Sequence, residues 1–221
     1  MLHRNSQKRF YVENSVYFIT TKTYDSFPYF DEEILCNLLI DSLKYSQKKK
    51  SFKIFGYKIN PDHIHLLIQS NNEHNYSKIM HNVKRNFSHN ANIVLGVHEV
   101  DCEIKGDDIA SKGECGVKGD DYGINKGDDN YRRLCGHGYA NYKKLWNYDI
   151  LVKYKNRLDD KFHNNHPYPK FRWQKSFHYH IIVDARDVLN HVKYIKNQYI
   201  KHHLNGNAHC FINDELIQEV V

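Results

Sequence analysis

The chain has 221 residues, 40% of them hydrophobic and 14% aromatic, and a formal net charge of +6. That length suits a single domain, and no apolar run approaches the roughly 20 residues a membrane-spanning helix needs. Five cysteines without a Cys-x-x-Cys pair argue against a disulfide framework, and the N-terminus lacks an apolar signal core, so a cytoplasmic protein is expected.

In chain order, Val16–Thr23 is β-branched and aromatic and predicts a strand. Phe27-Pro28-Tyr29-Phe30 breaks it. Asp31 then stands where a helix cap belongs, and Leu35, Leu38, Leu39 and Leu43 turn inward before Lys48-Lys49-Lys50 closes the helix. Phe52–Asn60 predicts a second strand and His63–Gln69 a third, paired with it across the Pro61-Asp62 turn.

The third strand carries the most informative pattern. Ile64, Leu66 and Ile68 share one face, while His63 and His65 share the other. Two imidazoles side by side on a strand make half of a metal site, or a pair of surface histidines in a chain with 16 of them. A helix over 76–95 follows, with Ile79, Met80, Val83, Phe87, Ala91 and Val94 as its apolar stripe. Its polar stripe (Lys78, Asn82, Arg85, His89, Asn92, with Lys84 beside it) is a solvated face, or a phosphate-contact surface if it borders the histidines.

At about 97–145 the pattern breaks into a low-complexity insertion with three Lys-Gly-Asp-Asp repeats, read as flexible. Residues 101–130 alone hold nine acidic side chains against four Lys, so the remainder is more basic than the net charge suggests. A basic, aromatic-rich chain suits a nucleic-acid partner. Cys102, Cys115, Cys135 and His137 fit no common zinc spacing. Residues 139–172 show no clear period.

Phe177–Val183 predicts a strand, and Asp184 or Asp187 caps a last helix reaching about residue 204. Val188, Val192, Ile195 and Tyr199 define its buried stripe. At about 100° per residue, Tyr194 and Gln198 fall on the side away from that stripe, one turn apart.

These residues together resemble a known family. Asn60-Pro61-Asp62-His63-Ile64-His65-Leu66-Leu67-Ile68, a basic helix, Trp173-Gln174-x-x-Phe177-x-x-His180 and Tyr194-x-x-x-Gln198 stand in the order of the single-tyrosine HUH transposases, the IS200-like and REP-associated enzymes. The resemblance implies an α+β, ferredoxin-like antiparallel sheet with helices on one face, a single domain over 1–221 interrupted by the insertion. It implies a DNA transposase that cleaves and rejoins single-stranded DNA, adjacent to a hairpin, through a 5′-phosphotyrosine. Tyr194 would be the nucleophile; His63, His65 and Gln198 would hold Mg2+ or Mn2+. Arg4, Lys8, Arg9, Lys84 and Arg85 are the expected DNA contacts. No membrane or small-molecule cofactor is expected, and a homodimer is among the expected states. REP-associated members read Tyr-Ile-His-x-Asn-Pro where this chain has Tyr194-Ile195-Lys196-Asn197-Gln198-Tyr199. A second His-x-His, His178 and His180, competes for the ligand role. The rival class is a non-catalytic single-stranded nucleic-acid-binding module that stacks bases on sheet aromatics.

Overall fold

Strand β1 (Val16–Lys22) opens the fold, followed by α1 (Glu33–Lys50), β2 (Lys53–Asn60), β3 (His63–Gln69) and α2 (Tyr76–Val94). The computed structural model describes residues 10–97, 148–204 and 206–221. The insertion at about 97–145 therefore falls almost wholly outside the described residues, as do Arg4, Lys8 and Arg9. After it come α3 (Tyr148–Phe162), β4 (His178–Ile181), α4 (Ala185–Lys196), α5 (Gln198–Lys201), β5 (Cys210–Ile212) and α6 (Asp214–Gln218).

The sheet order is β4-β1-β3-β2-β5, antiparallel throughout. The first four strands have the ferredoxin-like order, and β5 is added outside β2. The expected placement of helices on one face holds for α1, α2 and α3. Their apolar stripes close over Tyr17, Ile19, Ile54, Ile64, Leu66 and Ile68 in the main core. The opposite face is covered by α4 and α6, where Val188, Val192, Ile195 and Ile217 pack on Val16, Phe55 and Leu67. Among the described residues, no helix is long and apolar enough to cross a membrane.

Several local details differ from the sequence expectation. Asp31 ends a 3-10 turn at Tyr29–Asp31, so the cap of α1 passes to Glu32, whose carboxylate accepts from the Ile34 N–H at 3.2 Å. Buried Glu32 is balanced by the Lys161 ammonium at 2.9 Å. Asn92 turns inward instead of to solvent, because its amide satisfies both backbone groups of Phe171 (2.7 and 3.2 Å). The last helix is interrupted at Asn197, with α4 before it and α5 after it. Asp184, not Asp187, caps α4, accepting from the Asp187 N–H at 2.8 Å.

Gly56 explains how β5 reaches the sheet. A bulge in β2 falls between Ile54 and Gly56. A Cβ on Gly56 would lie 2.7 Å from Ile212 Cδ1 and 2.9 Å from the Phe211 carbonyl oxygen, so the strand closes only against a bare Cα.

Candidate functional site

The turn that presents the histidines is fixed from outside the hairpin. The Thr23 N–H donates to the Asp62 carbonyl at 2.8 Å, its hydroxyl lies between that carbonyl (2.9 Å) and the Phe27 carbonyl (2.8 Å), and the Phe30 N–H donates to the Pro61 carbonyl at 2.9 Å. From this anchored turn, β3 alternates as its sequence dictates. Ile64, Leu66 and Ile68 enter the main core; His63 and His65 point to the opposite face and are 6% and 4% exposed.

Each imidazole is oriented through one nitrogen. His63 Nδ1 donates to Asp62 Oδ1 at 2.5 Å, which leaves the lone pair on Nε2; there the Asn60 amide donates at 3.0 Å. His65 Nδ1 lies 2.8 Å from the Thr20 hydroxyl, its neighbour in the β1–β3 register. His65 Nε2 lies 3.2 Å from Gln198 Oε1. The two rings are 4.8 Å apart and nearly perpendicular.

The break at Asn197 brings in the third group. Gln198 opens α5 directly after it and is 1% exposed. Its amide nitrogen donates to the Tyr194 carbonyl at 3.3 Å, so Oε1 faces His65 and, at 3.5 Å, the Asn60 amide. Tyr194 stands at the rim, 37% exposed, its ring 5.2 Å from that of His65 and 5.7 Å from that of Phe18. Lys201 donates to the Tyr194 hydroxyl at 3.2 Å, and His202 packs 4.9 Å from His63.

Burial sets the charge state. Desolvation, reinforced by neighbouring His63, pulls His65 down to about 3. Desolvation also lowers His63, against the opposing pull of the Asp62 carboxylate. Both imidazoles are therefore held neutral, the form that ligates metals. The Thr20 hydroxyl can accept from or donate to His65 Nδ1, so it serves either tautomer. Two neutral imidazole nitrogens and one amide oxygen converge, and Asn60 Oδ1 beside them is buried with no protein partner. This donor set fits a divalent cation.

Of the residues expected from sequence, His63, His65, Gln198 and Tyr194 come together. His180 does not join them; it pairs with Asp187 at 2.8 Å and stacks on His191. Lys84 and Arg85 sit on α2, on the far side of the sheet from the histidines, so the polar stripe does not border the site. The Lys84 ammonium donates to the Gln174 carbonyl at 2.6 Å and lies over the Trp173 ring. Trp173 itself is core, packed on Phe30, Phe87 and Phe171. Sequence reasoning missed Thr20, Asn60, Asp62, Lys201 and His202. Asn60 and Asp62 lie inside the quoted motif, and His202 follows Gln198 by one helical turn; Thr20 needed the strand register.

The N-terminal part of this arrangement has a recognised family pattern. Residues 12–95 match the family model described as "Transposase IS200 like". Over this stretch the chain is similar to the IS200-like transposases. No curated protein matches. A solved structure of a REP-associated tyrosine transposase bound to a REP hairpin is similar at 13% identity and a TM-score of 0.47, over 90% of this chain and 74% of that one. A putative transposase from Deinococcus radiodurans R1 is similar at 14% identity and a TM-score of 0.33, over 41% of this chain and 67% of that one.

Proposed function

We propose that this protein is a single-tyrosine HUH transposase that cleaves and rejoins single-stranded DNA through a 5′-phosphotyrosine. One observation carries the reading: the paired imidazoles and the Gln198 amide oxygen meet beside the Tyr194 ring, within one chain. His63 Nε2, His65 Nε2 and Gln198 Oε1 would hold Mg2+ or Mn2+. Such an ion, when bound, supplies Lewis-acid neutralisation of phosphate charge.

The chain's own groups do the rest. The Tyr194 oxygen attacks phosphorus, forming the P–O(Tyr) bond while the bond to the 3′ oxygen breaks; the phenol loses its proton and the departing 3′ oxygen gains one. Negative charge on the phenol oxygen faces the Lys201 ammonium, 3.2 Å away. Asp62 and Thr20 hold the two imidazoles, and Asn60 and the Tyr194 carbonyl hold the Gln198 amide. Attack by another 3′-OH on the phosphotyrosine reverses the exchange and rejoins strands without an external energy source. The exposed rim at Tyr194 suits an unpaired strand, with a hairpin beside it as the expected recognition element. The binding-module alternative is less well supported, because helices cover both faces of the sheet where bases would stack.

Incubation of labelled single-stranded hairpin DNA with the protein and Mn2+, resolved on a denaturing gel, tests this. A protein-linked band is expected. Free 5′-phosphate product without that band would make the protein a hydrolase, and no product would make it a binder.

A further inference from the structure

Outside the site just described, one cluster combines ligand chemistry with a built geometry. Asp187, in the first turn of α4, has each carboxylate oxygen opposite a different imidazole: Oδ2 lies 2.8 Å from His180 Nε2, and Oδ1 lies 3.0 Å from His191 Nδ1. His180 comes from the edge strand β4, and His191 lies one turn beyond Asp187 on α4. The carboxylate is held in place by the Val183 N–H at 3.3 Å. The two rings stack 5.0 Å apart with 23° between their planes, which sets their nitrogens side by side. One ligand atom from each residue fits within a 4.8 Å span. In tetrahedral zinc coordination, neighbouring donors at about 2.0–2.1 Å from the ion stand about 3.3–3.5 Å from each other, so small side-chain rotations suffice.

We infer that His180, Asp187 and His191 form a second divalent-metal site, of the two-histidine, one-carboxylate kind suited to Zn2+, separate from the His63/His65/Gln198 site. On binding, each ring presents a lone pair at the nitrogen now facing Asp187 (His191 Nδ1 also lies 2.9 Å from the Asp187 carbonyl), and the proton there passes to the ring's other nitrogen or to solvent. The His180 side chain is 52% exposed, leaving solvent access for a water as fourth ligand. Its role follows from the elements it joins. His191 packs 4.5 Å from Phe18, whose ring stacks on His65, and Tyr194 follows His191 on the same helix. An ion here ties the helix bearing Tyr194 to the sheet edge; it does not touch the reacting atoms.

The test uses the tag-free full chain, stripped with a chelator and dialysed against Zn2+ or Co2+. Bound ions are counted by elemental mass spectrometry, Co2+ coordination is read from its visible absorption, and Tm is followed with added Zn2+. The paired variant His63→Ala/His65→Ala is expected to keep one ion per chain, with Co2+ bands and a saturating rise in Tm. Adding His180→Ala, or separately Asp187→Asn, should abolish the ion, the bands and the rise. His180 is exposed, so its loss leaves the fold intact, as circular dichroism would verify. A paired variant that binds no ion overturns the inference. So does an ion that survives His180→Ala and Asp187→Asn, since it must then lie elsewhere. Equal ion counts in wild type and the paired variant would instead count against His63 and His65 as ligands and leave this second site standing.

Discussion

The two faces of one sheet do different work. Beneath α1, α2 and α3 the strands present Tyr17, Ile19, Ile54, Ile64, Leu66 and Ile68, a largely apolar surface. On the other face the same strands present a smaller apolar patch and, at one end, buried Lys58, Asn60, His63 and His65. Burying such groups is costly unless each is hydrogen-bonded, and nearly every one is: Lys58 to the Ala208 carbonyl, the histidines to Asp62, Thr20, Asn60 and Gln198. Strand alternation thus lets one face supply stability while the other holds buried polar groups in place.

Substitutions on the two faces should separate these roles. The largest effect is expected from Tyr194→Phe: covalent protein–DNA adducts fall below detection on a denaturing gel, while stability moves by no more than about 0.5 kcal/mol because the side chain is at the surface. An adduct persisting in that variant would show a different nucleophile. On the opposite face, Leu66→Ala, at 1% exposure, should cost about 2–5 kcal/mol in urea unfolding. Protein that remains folded should still bind Mn2+.

Asp62→Ala should act in the other direction. It releases His63 Nδ1, so Mn2+ affinity measured by calorimetry should fall about 10–100-fold. Unchanged affinity would mean that the carboxylate does not set the tautomer. The last effect concerns acid. His65 has its ordinary 6.5 pulled down to about 3, so the unfolded chain takes up this proton more readily than the folded one. The contribution is fully present above pH 6.5 and is lost as pH falls from there toward 3, by at most about 1.4 kcal/mol per pH unit. Replacing His65 with Gln should flatten that part of a urea-stability profile, and an unaltered slope would trace the loss to other groups.

Much of this was legible in the sequence, for identifiable reasons. The bounds of β3 and the opposed faces of its histidines follow from period-two alternation after a Pro-Asp turn. The meeting of Tyr194 and Gln198 with the histidines was implied by family resemblance, and helical spacing was compatible with it. Other features depended on distant backbone. Helix α3 spreads Ile150, Leu151, Tyr154, Leu158 and Phe162 among lysines and acids, a stripe hard to pick out locally. Strand β5 requires the missing Cβ of Gly56, which no local pattern announces. Asn92 reads as polar surface until Phe171 passes beside it, and Lys84 reads as a free cation until the chain at Gln174 supplies carbonyls.

The bond from the Gln198 amide to the Tyr194 carbonyl makes that glutamine hard to replace by its acid. A glutamate has the same shape and is ordinarily the stronger ligand for a cation. Here it would set a carboxylate oxygen against a carbonyl oxygen only 3.3 Å away, with nothing left to donate. The main chain of Tyr194 thus selects a neutral amide at the neighbouring turn.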